Sequence, residues 1–467
     1  MSELDEMNSA PVITIPALGF HNQTSATPSP HPDSTPRSPF SSASRMMTPL
    51  ASPMKKAITS MQTYLEEVGH LTKLDPQDSW LPITESRNGN AYYAAFHTLS
   101  SGIGFQALLL PFAFTTLGWV WGIISLSLAF IWQLYTLWLL IQLHESVPGM
   151  RYSRYLRLSI AAFGERWGKI LALFPTIYLA VILAQLPNLN SIAGISLVSA
   201  ITAVTYCTLT WVLSVSKARP PGVSYEPVWT KSDVGNVSSV LNALGIIAFS
   251  FRGHNLVLEI QGTMPSTAKN PSSLPMWKGV KFSYIIIACC LFPMAVGGYW
   301  AYGNLIPTNG GMLSALDKYH RNDTPRMVLG LTSLLFVINS LTSFQIYAMP
   351  AFDNMEFRYT NNNNGPCPWW LRTGLRVFFG CLTLFVSVAL PFLKNLAGLI
   401  GGIALPVTLA YPCLMWIRLK NPQRYSSMWW LNWTLGTLGM ILSILLVFGA
   451  IWTIATQGIR VHFFKPE

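Results

Sequence analysis

The chain has 467 residues, of which 51% are hydrophobic and 10% charged, and its 30 Lys and Arg outnumber 19 Asp and Glu for a net charge of +11. A soluble domain carries about 25% charged residues, so a water-solvated enzyme or binding module is excluded. The basic excess sits in short loops between apolar runs, with no basic and aromatic platform. That pattern sets nucleic acid aside and points to positive loops at the cytoplasmic face of a lipid bilayer.

Residues 1–75 are a different material from the rest. Nine prolines fall between Pro11 and Pro53 among many Ser and Thr, a composition that cannot bury enough apolar surface to offset its ordering entropy. The expectation is a disordered cytoplasmic tail without a cleaved signal peptide, because it has no apolar core segment of the signal type. Thr27, Ser29, Thr35, Ser38, Thr48 and Ser52 each precede a proline. They are candidate kinase sites, although such pairs arise freely in any Pro-rich tail.

Residues 76–467 read as an all-α polytopic membrane domain. A span needs roughly 17–25 apolar residues to cross the hydrocarbon. Runs of that kind cover 92–116, 119–143, 191–214, 237–262, 279–302, 326–349, 372–393, 395–417 and 431–455, with a short tenth run at 170–186. Basic loops follow the second span (Arg151, Arg154, Arg157, Arg166, Lys169) and recur at Lys269–Lys281, Arg358–Arg376 and Arg418–Arg424. If all four face the cytoplasm, an even number of crossings separates neighbours. The first interval holds three, so either 170–186 does not cross or a crossing is missing. The six cysteines show no disulfide or metal-ligand spacing, and no metal site is expected.

Several ordered motifs accompany these runs: Ala94-Ala95-Phe96-His97, Leu110-Pro111-Phe112-Ala113, Leu117-Gly118-Trp119, Tyr135-Thr136-Leu137-Trp138, Leu186-Pro187-Asn188-Leu189-Asn190-Ser191 and Gly253-His254-Asn255-Leu256-Val257-Leu258-Glu259-Ile260-Gln261. Together they resemble the amino acid/auxin permease family, in its plant lysine/histidine transporter-like branch. The resemblance implies eleven spans in a LeuT-like inverted-repeat transporter fold, and proton-coupled import of amino acids across the cell membrane, with the proton as coupling ion and no other cofactor. It also implies that the first repeat is incomplete. Ile177–Ala180 resembles the early third helix and Val181–Gln185 the end of the fourth, so most of both helices is missing.

The candidate site follows from breaks in two spans. Ser100, Ser101, Gly102, Ile103 and Gly104 are poor helix formers midway along the first run, and Phe249, Ser250, Arg252, Gly253 and Asn255 interrupt 237–262. Backbone groups freed at such breaks can receive a substrate's carboxylate and ammonium, or the small residues can simply pack helices closely. Arg252 can attract a carboxylate or pair structurally with Glu259. In 326–349, Ser333, Ser340 and Ser343 share a helical face and either line the site or bond neighbouring helices. His97, His254 and Glu259 are the titratable groups placed to carry a proton, against the alternative of ordinary packing residues. Gly398, Gly401 and Gly402 give close packing or a hinge. No nucleophile, paired-carboxylate or His-box pattern supports an enzyme. The alternative to a transporter is a shortened, non-transporting variant with a regulatory or receptor-like role.

Overall fold

The computed structural model describes residues 89–147, 150–171, 192–251, 253–267, 269–307, 310–363, 365–389 and 393–457. The Pro-rich tail and most of the short run at 170–186 lie outside them, as does Arg252.

The described residues are helical wherever the apolar runs predicted a span. In order, α1 is Ala91–Gly102, α2 Gln106–Leu143, α3 Tyr155–Phe163, α4 Ile192–Ser216, α5 Asp233–Ser250, α6 His254–Gly262, α7 Ser273–Tyr302, α8 Gly311–His320, α9 Arg326–Asn363, α10 Trp369–Ala389, α11 Leu393–Leu405, α12 Tyr411–Lys420 and α13 Ser427–Gln457. Seven of the continuous helical stretches among the described residues are long and apolar enough to cross a membrane. α2 contains two runs, because Gly118 leaves helical geometry at φ 68° and separates them. The first and fourth expected spans are each split in two, into α1 with the start of α2 and into α5 with α6.

Composition explains which faces go inward. Large apolar side chains such as Leu128, Ile131, Ile285, Phe378 and Ile444 are exposed, while Ser, Thr, Asn, Gln and His side chains lie buried between helices. A water-soluble protein does the reverse, and in lipid the polar groups must find partners inside the bundle. Exposed Trp369, Trp370 and Trp430 stand at the starts of α10 and α13, where interfacial indoles belong.

Close helix crossings depend on glycine. A Cβ placed on Gly401 would stand 1.9 Å from the Gly245 carbonyl oxygen, so α5 and α11 touch backbone to backbone. Gly398 and Gly402 of α11 are closely approached too, by Asn242 and by Val447. Beyond α11, residues Pro406–Ala410 form one π-helical turn before α12, and the Tyr155 hydroxyl donates to the Val407 carbonyl at 2.9 Å. The loop ahead of α3 differs from expectation: Arg151 and Arg154 are buried rather than solvated.

Candidate functional site

The first break is built from residues that cannot hold a helix. α1 ends at Gly102, Ile103 is extended (φ −116°, ψ 120°), and α2 begins after Phe105. Helix termination frees carbonyls that would point into a dry interior, and each finds a side chain from a neighbouring helix. The Ser100 carbonyl accepts from the Ser343 hydroxyl at 2.9 Å and the Ser101 carbonyl from the Tyr347 hydroxyl. The Ile103 carbonyl accepts from Asn339 Nδ2 at 3.4 Å, and the Gly104 carbonyl from the Tyr206 hydroxyl at 2.9 Å. The Ser100 hydroxyl donates to Ser199 Oγ at 2.5 Å, which in turn donates to Asn339 Oδ1 at 3.1 Å. Gly102 leaves room for Ile287 of α7.

The second break lies against the first. α5 stops at Ser250, whose hydroxyl donates back to the Ile246 carbonyl at 3.0 Å. Gly253 then takes a left-handed conformation (φ 105°, ψ −1°) ahead of α6. A Cβ on Gly253 would lie 3.1 Å from Ser101 Oγ. The Phe249 ring stands 5.5 Å from that of Phe105. The two interrupted helices, 150 residues apart in sequence, thus meet at their breaks. The site they share holds hydroxyls, an amide and carbonyls, with no charged side chain among the described residues that line it.

The titratable candidates are dispersed around this centre. His97 is buried on α1 with Nδ1 2.7 Å from Ser196 Oγ. His254 opens α6, and its Nε2 lies 2.8 Å from Thr136 Oγ1 of α2. Glu259 is buried further along α6. It is not the sole carboxylate within the helices, because α9 continues past residue 349 to Asn363 and carries Asp353 and Glu356 inward. Glu259 has Arg154 and Asp353 as its charged neighbours, and Arg154 bonds Asp353.

Ser343 joins the central network, whereas Ser340 is half-buried and Ser333 exposed. The inward face of α9 runs through Asn339, Ser343 and Tyr347, spaced four residues apart. Ser196, Ser199 and Tyr206 of α4 also went unanticipated. Their polar spacing along one apolar run was the available signal.

An apolar cavity of about 590 Å³ lies elsewhere, lined by Leu128, Trp132, Phe251, Leu409 and Leu438. It touches the second break only through Phe251. Its lining is mostly apolar and holds no charged side chain, with hydroxyls only from Ser125, Tyr135 and Thr408.

On the loop side of α2, Glu145 accepts from Ser272 Oγ at 2.7 Å and lies 3.2 Å from Arg151 Nε. Burial alone would raise its carboxyl, but His144, Arg151 and Ser272 outweigh that and hold it down to about 2.

Comparison with known proteins matches the family described as "Transmembrane amino acid transporter protein" to residues 87–180 and 176–456. The chain belongs to that family. As a member of this family it is an amino acid transporter and a multi-pass membrane protein, not an enzyme. It is 52% identical to Lysine histidine transporter-like 8 of Arabidopsis thaliana, over 99% of this chain and 100% of that protein. It is 43% identical to Lysine histidine transporter-like 7 of the same plant, over 84% and 90%. Among solved structures, a Na⁺-coupled sialic acid symporter aligns at 12% identity over 88% of this chain and 98% of the other, with TM-score 0.39, too slight a likeness to bear on mechanism.

The family match is in two pieces that meet at residues 176–180. The first alignment runs over 518 positions against a chain of 467, so at least 51 positions have no residue here. That length is about two spans.

Proposed function

We propose that this transporter imports amino acids with protons across the cell membrane, and that the amino acid binds between the two helix breaks. The observation that carries the reading is Gly253 set against Ser101, which joins both breaks in one buried polar centre. Ser100, Ser101, Gly102, Ile103 and Gly104 from one break, with Phe249, Ser250, Arg252, Gly253 and Asn255 from the other, surround the substrate, and Ser343 completes it, with Ser340 at its margin. Each carbonyl from Ser100 to Gly104 accepts from a side-chain donor. An incoming ammonium takes over those carbonyls, and its carboxylate meets the N–H groups at the start of α6. His97, His254 and Glu259 are the groups available for the proton.

Uptake of a radiolabelled amino acid mixture into proteoliposomes, with and without an inward acid gradient, tests this. Gradient-dependent accumulation supports it, and its absence removes proton coupling. With the N-terminus in the cytoplasm and 170–186 not crossing, the turn between α8 and α9 lies outside. Asn322, exposed in that turn within Asn322-Asp323-Thr324, should then accept a glycan that Asn322→Gln abolishes. The Ser/Thr-Pro pairs of the tail are proposed kinase targets.

A second reading rests on the 51 or more missing positions. We take these as most of the third and fourth helices. A bundle short of two helices that folds without transporting would act as a regulatory or receptor-like partner, and would bind amino acid without accumulating it.

A further inference from the structure

The buried charges of the bundle gather at the end of α6 remote from the breaks. Arg154 caps the start of α3, and its Nε donates to Asp353 of α9 while its guanidinium lies 5.2 Å over the Phe357 ring. Glu259 of α6 is within electrostatic reach of both Arg154 and Asp353. All three are at most 4% exposed. Glu259 Oε2 and Asp353 Oδ1 are fully buried with no hydrogen-bond partner.

The surrounding charges are already engaged. Glu356, one turn beyond Asp353, has two cations of its own, Arg372 at 3.0 Å and Arg376 at 3.4 Å. The Arg157 guanidinium lies 4.8 Å over the same Phe357 ring. Arg151 pairs with Glu145 and gives Nη2 to the carbonyls of Gln261 and Met264. His97 of α1 is bonded to Ser196, and His144, just past the end of α2, lies 3.7 Å from Glu145. Among the described residues, two buried carboxylates therefore face one guanidinium. An uncompensated buried carboxylate is so costly that the group takes up a proton instead, and two carboxylates at one site share it.

We propose that Glu259 and Asp353 are a shared-proton pair that carries the coupling proton, with Arg154 as the positioning cation that ties its protonation to the seat of α6. This deepens the proton-coupled reading and rests on it. With one proton bound, the single negative charge is matched by Arg154 and α6 stays docked on α3 and α9. Breaking the carboxyl O–H bond releases the proton to cytoplasmic water and leaves two carboxylates on one guanidinium. Their repulsion moves α6 away from α9 about the left-handed Gly253, which opens the site toward the cytoplasm. α6 returns to its seat only as the pair takes up a proton again from outer water, which restores a single negative charge against Arg154.

The test uses the purified full chain, reconstituted, as wild type, Glu259→Gln, Glu259→Asp and Asp353→Asn. Infrared titration of the wild type should show a protonated carboxyl band at a pH where exposed carboxylates are ionised. That band should vanish in Glu259→Gln and in Asp353→Asn, each of which leaves one carboxylate to Arg154, and persist in Glu259→Asp. Glu259→Gln, fixed in the charge state that keeps α6 docked, should lose accumulation driven by an acid gradient, with Glu259→Asp restoring it. A wild type without the band, or a Glu259→Gln variant that keeps band and accumulation, overturns the pair. If the wild type shows the band but no gradient-driven uptake, the proton-coupled reading fails and the assignment of the coupling proton falls with it, while a shared proton at the pair stands on the spectra alone.

Discussion

The two polar regions of the bundle are built on opposite terms. Where the breaks meet, the polar groups are neutral: Ser100, Ser199, Asn339, Ser343 and Tyr347 satisfy carbonyls in a network that can be exchanged for substrate one bond at a time. At the far end of α6 the groups are charged, and Arg154, Asp353 and Glu259 are sealed from water. Neutral hydrogen bonds are worth about 1 kcal/mol each and can be traded. A buried ion stripped of its partner is not tolerated in that way. The centre is thus arranged to be opened by a ligand, and the end to be opened by a change of charge.

The largest effect that sharpens this contrast is expected at the charged end. Arg154→Ala strands two buried carboxylates and should cost about 3–5 kcal/mol, read as a steep fall in thermal unfolding temperature in detergent. At the hinge between the regions, Gly253→Ala forces a Cβ into left-handed backbone beside Ser101 Oγ. About 1–3 kcal/mol of strain is expected, together with loss of uptake in proteoliposomes.

Glu145 gives a pH test outside the spans. Its folded carboxyl is depressed from 4.5 to about 2, so its contribution is complete above its ordinary value and drains as pH falls toward 2. Glu145→Gln should therefore lose about 2 kcal/mol at neutral pH, with the gap to wild type closing as unfolding is measured at progressively lower pH. The smallest effect belongs to the centre. Ser343→Ala removes one neutral donor and should cost about 1 kcal/mol of stability, with a raised KM for uptake and little change in unfolding temperature. A Ser343→Ala loss as large as that of Arg154→Ala would break the comparison.

Sequence reading reached the spans because lipid demands a length of apolar residues, and it reached both breaks because Ser100–Gly104 and Gly253 cannot sustain a helix there. It placed Glu259 and the two histidines in the interior correctly. It did not find the donors that cap the first break. Tyr206, Asn339 and Tyr347 are ordinary residues of their own helices, and only tertiary packing brings them to the freed carbonyls. On α9 the face was misjudged by one residue, Ser340 for Asn339, because the spacing of polar residues fits both. Asp353 was missed for a different reason. Hydropathy fades near residue 349, yet α9 continues to Asn363 because Arg154, Arg372 and Arg376 from neighbouring segments receive its acidic turns.

The meeting of the two breaks as the amino acid site is tested most directly by substrate protection. Ser101→Cys, 2% exposed as serine in the closed site, is labelled with a small thiol reagent in membranes and compared with the wild-type cysteine background. Transported amino acid should slow the labelling of Cys introduced at this position and leave the background unchanged. Labelling that proceeds at the same rate with saturating amino acid present would contradict a substrate site between the breaks.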